Sequence, residues 1–174
     1  MFEATIIGLP RSRTFWFSQL LTHGDSKCFH CYPMYDNEIP EGKRLFNSTC
    51  HPYEGIEGKL VIIERPVPEA YESFMKFAHN VPKNFDKRYY RAIVRQFHFL
   101  QSLKGLHVKY DQINDRIDEI LAYIGVDLPK EWIEQCLNTN MQTGDNDMNF
   151  SGTLRPPIIR PQSLMGTFQA QSPS

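Results

Sequence analysis

The chain has 174 residues, of which 41% are hydrophobic and 22% charged, and its net charge is −1. That is enough for one domain with a sizeable core, and a charge so close to zero supplies no global field for a nucleic acid or an anionic membrane. No apolar run approaches the roughly 18 residues of a membrane span, and Met1-Phe2-Glu3 leads into a strand without the basic and apolar regions of a leader, so a soluble cytoplasmic protein with reduced cysteines is expected.

In chain order, Ala4-Thr5-Ile6-Ile7 is a short β-branched run suited to a strand buried on both faces. Gly8-Leu9-Pro10 breaks it. From Thr14 the apolar residues Phe15, Trp16, Leu20 and Leu21 recur at helical spacing, which predicts a helix over 13–22 ending at His23-Gly24. Between strand and helix, Arg11-Ser12-Arg13-Thr14 puts two guanidiniums and two hydroxyls at a helix N-terminus. Phosphate and sulfate groups need that chemistry: N–H groups pointing at the ligand, a favourable helix dipole, and charge-assisted arginine forks. The loop is not a Walker A sequence, which would place Gly-Lys where Arg13-Thr14 stand.

Short strands are expected over 27–32 and 45–50. Pro33, Pro40, Gly42 and several acids make 33–43 a loop on the substrate side, and 51–58 is a second loop. Cys28-Phe29-His30-Cys31 forms a C-x-x-C, and Cys50-His51 follows. Together these could offer zinc four donors. A second C-x-x-C is missing, however, and adjacent Cys50 and His51 are awkward ligands for one ion. The four cysteines are therefore read as ordinary thiols in and beside a strand, with no metal.

The run over 59–64, KLVIIE, is a second buried strand. It leads through Arg65-Pro66-Val67-Pro68 into a helix over 69–79, with Pro68 near its first position and Glu69 in its first turn. A longer helix over 85–103 puts Tyr89, Ile93, Phe97 and Leu100 on a core face and Lys87, Arg88, Arg91 and Arg95 in solvent. A strand over 106–110 follows, then a helix over 114–124 closed by Gly125, and another over 129–137. After Asn138 the composition turns to Gly, Asn, Asp and Pro, so an α/β domain over 1–139 and an irregular tail over 140–174 are expected. Strands alternating with helices, with no hairpin signals, argue an α/β fold around a mainly parallel sheet. Its crevice lies at the carboxyl ends of the strands, where Arg11, Arg13 and Arg65 could converge on one polyanion.

Pro10-Arg11-Ser12-Arg13-Thr14-Phe15-Trp16 resembles the 5′-phosphosulfate loop of the sulfotransferases, P-[KR]-S-G-[ST]-x-[WL]. Arg65 at a strand end, seven intervening residues and Ser73 on the next helix resemble that family's second motif, where Arg and Ser grip a 3′-phosphate. Val108-Lys109-Tyr110-Asp111-Gln112-Ile113, leading to Tyr123-Ile124-Gly125, is similar to a third landmark. The resemblance implies a P-loop NTPase-like three-layer sandwich. It also implies a transferase that moves a sulfuryl group from 3′-phosphoadenosine-5′-phosphosulfate (PAPS) to a hydroxyl or amine of a small-molecule or carbohydrate acceptor. Arg11 would stabilise the leaving group, and Ser12, Arg13, Thr14 and Phe15 would hold the 5′ end. Arg65 and Ser73 would hold the 3′-phosphate, and Trp16 would stack on adenine or serve the core. Arginines would supply the positive charge without a metal.

Three departures qualify this picture. Arg13 stands where the loop has Gly, so either the turn differs or a second guanidinium faces the anion. The basic, glycine-rich loop that covers adenosine in larger relatives has no counterpart unless Arg155 and Arg160 substitute for it. The Glu that smaller relatives use as a base is absent, leaving His30 as first candidate and Asp36, Glu38 and His51 as alternatives. A nucleotide or nucleoside kinase and a non-catalytic nucleotide binder are the competing readings.

Overall fold

Every residue of the first strand, β1 (Ala4–Gly8), is buried, as a β-branched run covered on both faces requires. The computed structural model describes residues 2–32, 38–51, 56–77 and 85–139. After β1 come α1 (Thr14–Leu20), β2 (Ser26–His30), β3 (Arg44–Thr49), β4 (Lys59–Glu64) and α2 (Val67–Phe77). Then follow α3 (Phe85–Ser102), β5 (Leu106–Lys109), α4 (Ile117–Ile124) and α5 (Lys130–Leu137). The strands make one five-stranded, all-parallel sheet in the order β2-β3-β1-β4-β5.

The register sorts the side chains into two faces. Ala4 aligns with Phe46, which aligns with Cys28; Ile6 aligns with Val61, and Ile63 with Val108. This face shares one core with Trp16, Phe17 and Leu20 of α1, Ile120 and Ile124 of α4, and Ile133 and Cys136 of α5. The alternate residues Ile7 and Ile62 are equally buried. On their side lies α3, whose Gln101 reaches Glu64 of β4 and whose Ile93 and Leu100 are buried. Phe74 of α2 packs against Tyr89 of α3 with ring centroids 4.2 Å apart. Helices, sheet and helices make the three layers.

Connectivity fixes where a ligand can approach. From β1 the chain goes out to β2 and β3 on one side, then passes β1 to β4 and β5 on the other. Where a doubly wound sheet reverses in this way, a crevice opens beyond the carboxyl ends of the strands. Here that place is the exit of β1 and its neighbours.

The expected elements are present, and the differences have local causes. Helix α1 stops at Leu20 instead of running to 22, because Thr22 Oγ1 donates to Ser18 O and accepts from the Cys28 N–H, which draws the chain towards β2. Helix α4 starts at Ile117 instead of 114, after a 3₁₀ turn over Tyr110–Gln112. Lys87, Arg88, Arg91 and Arg95 are exposed and Tyr89, Ile93 and Leu100 are buried, as the pattern predicts, while Phe97 of the expected core face is only half-buried. The end of the 69–79 helix, most of the 33–43 loop and the 140–174 tail lie outside the described residues. Among the described residues no helix is long and apolar enough to cross a membrane.

The start of β4 depends on Gly58. Its φ is +69°, and a Cβ there would lie 2.2 Å from the Glu3 carbonyl oxygen, which accepts the Lys59 N–H at 3.0 Å. Gly58→Ala combines a strained backbone with a clash against backbone, and is expected to cost about 2–4 kcal/mol. Urea unfolding should show a lower midpoint with an unchanged slope.

Candidate functional site

At the exit of β1 the loop folds back tightly. A Cβ on Gly8 would lie 2.9 Å from the Ser12 Cβ and 3.2 Å from the Ile63 Cβ, so the close return of the loop requires glycine. The Ser12 N–H closes the turn on Leu9 O at 3.1 Å. Arg11 and Arg13 both have positive φ, 67° and 61°, a conformation that costs a non-glycine residue about 1 kcal/mol or more. The first helical bond runs from the Phe17 N–H to Arg13 O. The N–H groups of Thr14, Phe15 and Trp16 therefore precede the helical ladder.

Arg13 combines a left-handed backbone with an engaged side chain. Its backbone keeps the left-handed turn that a glycine would make. Its guanidinium donates to Asn114 Oδ1 and lies 5.5 Å from the Trp16 ring and 5.7 Å from the Tyr110 ring.

Arg65 joins three strand exits. Its Nη1 donates to the Arg11 carbonyl oxygen, and its guanidinium carbon lies 4.1 Å over the ring of Tyr110, just past β5. Burial lowers the Arg11 pKa, Arg65's charge lowers it further, and Tyr110 opposes both; the guanidinium still stays charged at neutral pH. Among the described residues, the buried Ser12 Oγ and Arg65 Nε have no hydrogen-bond partner. Two like charges beside polar atoms without partners suit an anion.

Arg65 and Ser73 lie on one cleft. Arg65, Glu69, Glu72, Ser73 and Lys76 line a cleft of about 270 Å³. Helical pitch brings residues 69, 72, 73 and 76 of α2 to one side, next to Arg65 at the strand end. Another hollow, about 290 Å³, is lined by Tyr71, Lys87, Tyr90 and Arg91 of α2 and α3, with no residue from a strand exit.

At the end of β2, His30 Nε2 lies 3.4 Å from Thr14 Oγ1, and the ring stands edge-to-face with Phe15, centroids 5.4 Å apart. His30 is thus beside the loop. Of the alternatives, Glu38 is exposed and Asp36 lies outside the described residues, as do Arg155 and Arg160. His51 belongs to a different group. Cys31, Cys50 and His51 bring their donor atoms within 4.8 Å of one another, with the two sulfurs 3.8 Å apart. The adjacency of Cys50 and His51 proves no obstacle, because Thr49 Oγ1 accepts the His51 N–H at 2.9 Å and folds the chain into a turn there. Cys28, the other half of the C-x-x-C, points into the core. Contact with Cys50 holds the Cys31 thiol well below its ordinary pKa against the effect of burial, helped by His30 and His51. The same contact, with burial, pushes Cys50 up.

One organising residue escaped the sequence reading. Gln96 of α3 donates to Gly8 O at 3.3 Å and to Cys50 O at 2.7 Å, tying the exits of β1 and β3 together. Its only signal was position, between Ile93 and Leu100 on the buried face. Of the two roles weighed for Trp16, its surroundings are those of the core. It is 6% exposed, its Nε1 donates to Cys136 O at 2.7 Å, and it packs edge-on against Phe17. A ring so enclosed offers no face to adenine.

The all-parallel sheet and the loop after β1 define a P-loop-like α/β fold of the kind found in sulfotransferases. A crystal structure of mouse sulfotransferase SULT7A1 complexed with PAP matches this fold with a TM-score of 0.53 at 15% identity, over 78% of this chain. The match spans 62% of that chain, less than two thirds of its length. At this identity the likeness is one of fold. No family model matches the sequence, and no curated protein does.

Trp16→Phe should lower stability by about 1–2 kcal/mol through the orphaned Cys136 carbonyl, seen as a lower urea midpoint with an unchanged slope.

Proposed function

We propose that this protein is a sulfotransferase that moves a sulfuryl group from PAPS to a hydroxyl of a small-molecule or carbohydrate acceptor. The observation that carries the reading is the Arg65 guanidinium seated on the Arg11 carbonyl, with Ser73 on the same cleft as Arg65. A phosphosulfate and a ribose 3′-phosphate sit about a nucleoside apart, and one loop cannot hold both. Neighbouring strand exits can. The fold neighbour is described as complexed with PAP, the desulfated product of such a cosubstrate.

In this reading Arg65 and Ser73 hold the 3′-phosphate. Ser12, Thr14 and the N–H groups through Phe15 hold the 5′ end, with Arg13 adding positive charge beside them. Arg11 stabilises the negative charge that builds on the leaving phosphate, the main electrostatic demand of such a transfer. His30 accepts the acceptor proton as the new S–O bond forms and the bond to the phosphate breaks, and the product nucleotide departs with its charge balanced by the arginines. An arginine positioned by an aromatic face and a backbone carbonyl is pre-organised for this work.

Glu69 and Glu72 set a limit on affinity. They share the cleft with Arg65 and Lys76, so its formal charge is zero. Removing one carboxylate should help: Glu72→Gln is expected to tighten 3′-phosphoadenosine-5′-phosphate binding by about threefold to tenfold, more at low salt than at high.

The deciding measurement is thermal stability in 3′-phosphoadenosine-5′-phosphate, ADP, or ATP with magnesium, for the wild type and Arg65→Ala. A ligand that binds the folded state alone raises the melting temperature by mass action. The 3′-phosphorylated nucleotide should do so, and Arg65→Ala should weaken its binding at least about tenfold through a lost charge-assisted bond. A response to ATP with magnesium alone would replace the proposal with a kinase, and no response at all would leave only the fold.

A further inference from the structure

The thiol–imidazole group at the ends of β2 and β3 is not used by the proposed transfer. We infer that Cys31, Cys50 and His51 form a binding site for a zinc-class transition cation, with three donors among the described residues. Their donor atoms converge within 4.8 Å. Two thiolates each about 2.3 Å from a tetrahedral zinc stand about 3.8 Å apart, and the Cys31 and Cys50 sulfurs are 3.8 Å apart. A disulfide would need them at about 2.05 Å.

The chain around these donors is fixed by interactions outside the group. The Cys31 N–H donates to Ser48 O at 2.9 Å and pins the end of β2 to β3. Cys31 itself takes the left-handed conformation, φ 55°, a strained backbone of the kind that collects at functional sites. Cys50 is held through its carbonyl by Gln96, and His51 by its N–H to Thr49 Oγ1. Each donor comes from a chain segment pinned independently of the metal, so little ordering remains to oppose binding. Soft sulfur with imidazole selects zinc or its spectroscopic substitute cobalt over magnesium and calcium, which take oxygen ligands.

The site adjoins the anion loop through His30, whose Nε2 is 3.6 Å from Cys31 Sγ and 3.4 Å from Thr14 Oγ1. The inference does not rest on the PAPS reading, and either can fail alone.

The test is titration of the reduced, chelator-treated full-length protein with Co²⁺ and with Zn²⁺. The signals are the thiolate-to-cobalt charge-transfer absorbance and competition against a chromophoric chelator. One cation should bind per chain. Cys31→Ser and Cys50→Ser should each weaken Zn²⁺ binding by about 100-fold or more and remove most of the charge-transfer band, and His51→Ala by about tenfold. His98→Ala, on the exposed side of α3, should change nothing. Melting temperatures of the variants without metal show whether each is folded, and the wild-type titration stands regardless of them. Absence of one-to-one uptake by the wild type overturns the inference. So does uptake that survives in folded Cys31→Ser and Cys50→Ser, or a Cys31–Cys50 disulfide whose reduction yields protein that takes up no metal.

Discussion

The site depends on one guanidinium. Arg65 places its guanidinium over the ring of Tyr110 and donates to the Arg11 carbonyl, so one side chain binds the exits of β1, β4 and β5 together. The planar face of arginine suits an aromatic ring while its edge still donates hydrogen bonds. A lysine could not do both. The arrangement also fixes the Arg11 backbone, and with it the direction of a second guanidinium that burial and Arg65 both disfavour in its charged form. Two like charges are held close by the fold, and anionic groups bound beside them would relieve the repulsion.

The loop that carries Arg11 stores cost as well as charge. Two arginines at positive φ flank Ser12, whose hydroxyl is buried without a partner among the described residues. Gly8 permits the tight return, and Gln96 holds its carbonyl from the other layer of the sandwich. Strain of this kind persists only where the surroundings over-determine it. Here the surroundings are the buried β1 strand, the α1–α5 core and the Arg65 contact. Arg13 shows how it is kept: its backbone has a glycine's geometry, and its side chain is held by Asn114, Trp16 and Tyr110.

What the sequence made legible was local or periodic. Ile6-Ile7 and KLVIIE read as buried strands because a run covered on both faces needs no alternation. The core face of α3 read from its pitch, at Tyr89, Ile93 and Leu100. What stayed hidden was non-local or conformational. Trp16 is a core residue because Cys136, 120 positions away, accepts its N–H. Cys31 meets Cys50 because β2 and β3 are neighbours and a Thr49 turn redirects His51. Residue spacing alone carries neither fact. The left-handed backbone of Arg13 was hidden for another reason: its residue type argues against it.

The chain's small net charge makes the field at the β1 exit a question of local placement. Glu64 is the carboxylate next to Arg65 in sequence, yet strand alternation turns it to the other face of the sheet, where His107 Nδ1 and Gln101 bind it at 2.8 and 3.0 Å. It therefore does not neutralise Arg65. Glu69 and Glu72 lie on the cleft itself, matched by Arg65 and Lys76, while Arg11 and Arg13 lie one strand away on the loop. The positive field is thus strongest at the loop and weakest along α2. A ligand with anionic groups at both ends would be held more firmly at the loop than along α2. That asymmetry follows from pleat and pitch, and a protein with many more acids elsewhere could keep it, because focusing in a cleft depends on nearby charges and not on the total.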